Sequence, residues 1–236
     1  NDFGGKPIYI GGDDLLFFAP VVFYRQQQDD TVTVFDCIDA IDEQFKTHKF
    51  DPQPSLSYGV TMSHYKYPLF EARDASYDRM MAAKGTVWGH PNTKAATTKD
   101  AISFRLIRHS GSFFEGFLDK QMLKRLIVLR QQRTEADFLS SFTFKLRELD
   151  PLLDALGEEL TGDRLTAIAE NFFDEPIHRQ YQTEIERLIE FYQTVSDLPL
   201  TVNGKTTSAR DNAYALMRLL AFTLPQKASI HVPTLS

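Results

Sequence analysis

Four residues carry the chemistry that this chain advertises. Gly11-Gly12-Asp13-Asp14 lies between two apolar runs, Ile8-Tyr9-Ile10 and Leu15-Leu16-Phe17-Phe18. Such a segment between β-prone runs predicts a hairpin with two adjacent carboxylates at its tip. Paired carboxylates are hard oxygen donors and suit Mg²⁺ or Mn²⁺. Gly11 and Gly12 let a large ligand approach the backbone closely. A metal beside room for a phosphate chain points to nucleotidyl transfer, with Asp13 and Asp14 as metal-binding catalytic residues. Because the flanks are apolar on both faces, the hairpin is expected to be central and buried. Carboxylates beside buried strands call for a compensating cation. Turn geometry alone also accounts for Gly and Asp at these positions.

The elements that position this turn follow in order. Val34, Phe35, Ile38, Ile41 and Phe45 recur at helical spacing, and Thr33 with Asp36 supplies a capping box. Leu56, Tyr58, Val60 and Met62 alternate as in a strand with one face on a core. Pro68 opens a second helix that runs to about Lys84. A polar loop is expected from Gly85 to about Lys99. Ile102, Phe104 and Leu106 then alternate in a further strand. From Phe114 onward the period reads as helical, through Leu118-Met122-Leu126-Leu129 and Phe138-Phe142-Leu146-Leu149. Asp150-Pro151 starts another helix. Leu165, Ile168, Phe172 and Phe173 mark a short helix ended by Pro176, and Ile177, Tyr181, Ile185, Leu188 and Val195 a long one. Ser208 with Asp211 caps the last. The expected class is α+β, with an α/β part over 1–112 and an all-α part over 113–236.

Composition narrows the function classes. The 236 residues carry 26 Lys and Arg against 32 Asp and Glu, a net charge of −6. That balance excludes a free-standing electrostatic nucleic-acid binder, though not a local basic patch. One cysteine, Cys37, excludes an internal disulfide and a Cys-rich zinc ribbon and fits a reducing, cytoplasmic setting. No apolar stretch reaches the length of a membrane span. Lys120, Lys124, Arg125, Arg130 and Arg133 crowd one predicted helix against Asp119. That face either meets RNA phosphate or a partner subunit, or is simply solvated.

The run Ile8-Tyr9-Ile10-Gly11-Gly12-Asp13-Asp14 resembles the second palm hairpin of the large subunit of type III CRISPR–Cas effector complexes, Cmr lineage. Ser57-Tyr58-Gly59-Val60 and His64-Tyr65-Lys66-Tyr67-Pro68-Leu69 resemble the strand and helix that follow it there. Ala82-Ala83-Lys84 is similar to the end of that helix. Lys99-Asp100-Ala101 and Arg108-His109-Ser110-Gly111 resemble the ends of the last palm strand. The resemblance covers about half of the chain. The family's HD-type nuclease, first palm and zinc module have no counterpart here. A further metal-binding Asp, on a strand upstream of the hairpin in palm-type cyclases, also has none. The first strand begins within seven residues of Asn1, which reads as a piece of a longer protein, a palm truncated at its N-terminus.

The resemblance implies an incomplete ferredoxin-like palm of the nucleotidyl cyclase type, followed by a helical domain. It implies a target-RNA-activated synthetase, in a prokaryotic cytoplasm, that makes cyclic oligoadenylate from ATP in antiviral defence. Asp13 and Asp14 would hold Mg²⁺ (or Mn²⁺), and Gly11, Gly12, Ser57 and Lys84 would contact ATP. Ser57 also fits helix packing, and Lys84 also fits a helix C-terminus. Lys120, Lys124 and Arg125 would face RNA or a partner subunit. Expected partners are the other effector subunits, guide RNA and target RNA, with no membrane. The alternative is an inactive palm that scaffolds small subunits and the guide–target duplex. A mononucleotide or dinucleotide cyclase fits less well, because Asp-Asp follows the glycines rather than Glu-Glu-Phe.

Overall fold

The computed structural model describes residues 2–48, 54–89, 97–132, 135–156, 167–168 and 181–224. Its class is mixed α/β. The predicted short helix at Leu165–Phe173, the Pro176-Ile177 stretch and Arg133 lie wholly or mostly outside those residues.

The chain opens with β1 (Lys6–Gly11) and β2 (Asp14–Phe18), an antiparallel pair that forms a sheet of its own. A second hairpin follows, β3 (Val22–Arg25) and β4 (Asp30–Thr33), which the sequence reading did not anticipate. Its turn is held by Arg25 Nε donating to Asp30 at 2.7 Å, with Asp29 in the left-handed region at φ 49°. Thr33 ends β4 and caps α1 (Val34–Lys46). Its hydroxyl accepts from Phe35 and Asp36 amides, and Asp36 accepts from the Thr33 amide, the expected capping box.

The centre of the N-terminal half is a β–α–β unit. Strand β5 (Tyr58–Met62) runs parallel to β8 (Ala101–Ile107), and α2 (Leu69–Lys84) lies between them in sequence. Gly59 explains how closely α2 packs. A Cβ there would collide with the Ser76 carbonyl and the Met80 amide of the helix backbone. The stretch after Lys84 is not all loop. It holds β6 (Thr86–Trp88) and β7 (Thr97–Thr98), which join β10 (Leu200–Val202) and β11 (Lys205–Thr207) in a sheet ordered β11-β10-β6-β7.

The expected change to helical period at Phe114 is overturned. Residues Phe113–Asp119 form β9, antiparallel to β8 in continuous register from Ala101↔Asp119 to Ile107↔Phe113. The sheet therefore runs past the boundary expected at 112. Phe117 and Leu118 are buried as neighbours, so the local pattern does not separate a buried strand from a helix.

Helices α3 (Lys120–Gln131), α4 (Ala136–Glu148), α5 (Asp150–Leu156), α6 (Gln182–Ser196) and α7 (Ala209–Thr223) pack behind this sheet. Asn212 of α7 fastens it. Its Oδ1 accepts from the Phe117 amide at 2.8 Å and its Nδ2 donates to the Phe117 carbonyl at 3.0 Å, so the outer edge of β9 is satisfied by a side chain. One continuous core joins Phe35, Ile102 and Phe104 to Leu126, Phe142, Tyr192 and Leu216.

Candidate functional site

The Gly-Gly-Asp-Asp turn forms as the sequence predicts. Gly11 pairs with Asp14, which leaves Gly12 and Asp13 as the two central residues. Gly12 has φ +61° while Asp13 does not, the pattern of a type II′ hairpin with glycine first. A Cβ on Gly12 would meet nothing within 4 Å, so the tip is open. At Gly11 an added Cβ would meet only the hydroxyl end of the Tyr9 ring, an exposed side chain that folds over the turn and can swing aside.

The hairpin is not buried. Ile8, Tyr9, Ile10, Leu15 and Phe18 are all exposed, Ile10 by 73%. Asp13 and Asp14 are exposed as well. The expectation of a central hairpin is corrected: β1 and β2 pair only with each other, so among the described residues neither gains a second strand. Phe17, with Ala19 and Val21 just beyond it, packs against the core and ties the hairpin to the molecule. Desolvation of the carboxylates is therefore not a reason for a cation here.

The donor set still suits a hard divalent ion. Mg²⁺ is commonly held by one or two carboxylates, with water and phosphate oxygens completing its octahedron. Two adjacent carboxylates on an unobstructed turn meet that requirement. Among the described residues no group of three or more His, Cys, Asp or Glu side chains is close enough to hold a metal without other ligands.

The remaining expected residues are placed as follows. Ser57 is half-buried just before β5. Lys84 is exposed in the last turn of α2 and forms no ion pair among the described residues. Gly85 follows it, with its carbonyl accepting from the Asn203 amide at 2.9 Å.

The basic helix divides. Lys120 turns inward, its side chain 10% exposed, and donates to Asp42 at 2.5 Å while its ammonium lies 4.3 Å from the Tyr58 ring centroid. Burial raises the Asp42 carboxyl, but hydrogen bonds from Lys120 and Lys46 outweigh it, and Asp42 is held below the ordinary carboxylate range. Arg130 is buried too, donating to the Thr31 carbonyl at 2.8 Å and pairing with Asp36 at 3.3 Å. Lys124 and Arg125 remain at the surface. Lys124 pairs with Glu43 at 2.7 Å, and Arg125 donates to Thr194 at 2.8 Å. Lys120 is thus a core cation, because three and four residues' separation from a buried stripe places it on the inner face at the helix start.

Residues 2–90 match the family described as Cas10/Cmr2, second palm domain. That span contains the Gly-Gly-Asp-Asp hairpin, α1, β5, α2 and β6. The chain is also 27% identical over 127 residues to the CRISPR system Cmr subunit Cmr2 of Pyrococcus furiosus. The similarity covers 51% of this chain and 12% of that relative. The N-terminal part of this chain is thus similar to a second palm of the Cas10/Cmr2 type, and the chain spans about an eighth of the length of the relative it matches.

Proposed function

We propose that the chain contributes the nucleotidyltransferase palm of a type III CRISPR effector subunit, and that the complete complex joins ATP into cyclic oligoadenylate when target RNA binds. The observation that carries this reading is the open hairpin tip, which presents Asp13 and Asp14 side by side within the span that matches the family's palm. The palm would be ferredoxin-like, with the hairpin beside the β5–β8 sheet.

In this reading Asp13 and Asp14 supply the anionic oxygens for Mg²⁺ or Mn²⁺. Bound there, the ion would acidify a 3′-hydroxyl and stabilise charge on the α-phosphate and on departing pyrophosphate. The 3′-oxygen forms its bond to the α-phosphorus as the bond to the β-phosphate oxygen breaks. Gly11 and Gly12 leave the turn free of side-chain bulk beside the triphosphate. Lys84, exposed and unpaired, offers a point charge to phosphate oxygens. Ser57 offers a hydroxyl near the start of β5. Lys124 and Arg125 are the surface cations available to RNA or a neighbouring subunit. The setting would be a prokaryotic cytoplasm, and no helix among the described residues is long and apolar enough to cross a membrane.

A scaffold reading has one observation in its favour: no third ligating side chain joins Asp13 and Asp14 among the described residues. One experiment separates the two. In the complete effector complex, Asp13→Asn with Asp14→Asn should abolish oligoadenylate synthesis while assembly and target binding persist. Asn keeps the shape of Asp, and the tip is exposed, so the fold survives. Synthesis by the double variant at the parent rate would remove the hairpin from the chemistry. No synthesis by the parent complex with any target RNA would favour the scaffold.

A further inference from the structure

Three arginines that the proposed function does not use converge on one cleft. Arg108 follows β8, Arg147 lies in the last turn of α4, and Arg218 lies on α7. All three line a cavity of about 830 Å³ between the C-terminal ends of β5 and β8 and the helices α4 and α7. Arg218 stacks over the Phe114 ring at 4.2 Å, and Arg108 approaches the same ring at 5.9 Å. Two guanidiniums therefore share one aromatic. The imidazoles of His64 and His109 line the same cavity with ring centroids 5.1 Å apart.

Arg25, Arg79, Arg105 and Arg130 each pair with a carboxylate. None of Arg108, Arg147 and Arg218 does among the described residues. Asp137 is the single carboxylate residue lining the cleft. Burial lowers the Arg218 pKa, and repulsion from Arg108 and Arg147 lowers it further. In a chain of net charge −6, a cleft that gathers three unpaired guanidiniums and two imidazoles is complementary to a multivalent anion. The lining is otherwise largely apolar, with Val21, Phe144 and Phe222 beside the buried Met62 and Leu106. The volume lies in the range of small-molecule sites, and the crevice beyond the carboxyl ends of parallel strands is a recurrent ligand position.

We propose that this cleft binds a mononucleotide-sized phosphate ester, with the phosphate on the arginines and the base against the apolar side chains of the lining. The site is distinct from the hairpin. Lys84 ends the crossover helix that leads back toward the start of β8, at the other end of the sheet, and neither aspartate of the turn lines the cleft.

The test uses the 236-residue chain with EDTA present, so that metal-dependent binding at Asp13 and Asp14 is silenced. Calorimetric titration with AMP should show one site. Arg108→Gln and Arg147→Gln, both at exposed positions, should each weaken AMP binding about tenfold, as expected for one charge-assisted phosphate contact. Arg218→Gln should do at least as much. Asp13→Asn with Asp14→Asn should leave the affinity unchanged, so failure here does not bear on the hairpin. Adenosine should bind far more weakly than AMP. No binding of AMP at millimolar concentration would overturn the proposal, and so would arginine variants that bind like the parent. Equal binding of pyrophosphate and AMP would reduce the cleft to a simple anion site and overturn the nucleotide assignment. Binding of a single-stranded RNA oligomer with none of AMP would overturn it in favour of an RNA-backbone contact.

Discussion

Strands β1 and β8 are both rich in apolar residues, and the molecule treats them in opposite ways. In β8, Ile102 and Phe104 are wholly buried, while in β1 Ile8, Tyr9 and Ile10 are all exposed. The difference is neighbours. Strand β8 has β5 on one edge and β9 on the other, with α2 on a face. Strand β1 has only β2. Apolar content says that a strand can be buried. Whether it is depends on elements brought from elsewhere in the chain, since burial of area rather than composition supplies the free energy.

The comparison can be broken most forcefully at Gly59. A leucine there would drive its Cβ into the α2 backbone, with the Met80 Cα only 2.8 Å away. Gly59→Leu should cost more than about 4 kcal/mol and abolish the cooperative thermal transition followed by circular dichroism. A variant that melts within a few degrees of the parent would mean that α2 does not seat on β5 as described.

A smaller but still large loss is expected at Asp42 of α1, which pairs with Lys120 of α3 and with Lys46 on its own helix. Asp42→Ala leaves the buried Lys120 ammonium with only the more distant Asp100, at 3.8 Å, and should cost about 3 kcal/mol in urea unfolding at pH 7. The pH dependence follows from the sign of the shift. Asp42 titrates lower when folded, so its contribution is complete above the unfolded carboxyl pKa of about 3.9. The contribution fades as pH falls through the depressed folded value. Parent and variant should therefore converge in strong acid. A constant gap down to pH 2 would show that the loss is one of packing rather than charge.

The smallest effect sharpens the comparison from the other side. Ile10→Ser, at a residue 73% exposed, should change stability by no more than about 0.5 kcal/mol. A loss above about 1.5 kcal/mol in the isolated chain would place β1 inside a core after all.

Much of the local structure was legible in the residues. Thr33 and Asp36 cap α1, Ser208 caps α7, and Pro68 sets the start of α2, because each acts within a few positions of itself. The Gly-Gly-Asp-Asp turn was readable for the same reason. One strong local signal went unread: Asn203-Gly204, with φ values of +50° and +76°, forms the β10–β11 turn. The stretch from Phe114 to Asp119 is a strand where a helical period is expected, because Gly116, Phe117 and Leu118 are buried in succession and so show no alternation.

The sequence by itself determined the turns, the caps, the carboxylate pair and the resemblance to a palm, all of which depend on residues adjacent in the chain. Only the tertiary structure decided that the hairpin stands exposed, that Lys120 is a core cation, and that Arg108, Arg147 and Arg218 share a cleft. Those three arginines come from a strand end and two separate helices spread over 110 residues. Their common field depends on distances of a few ångströms through space, which spacing along the chain does not encode.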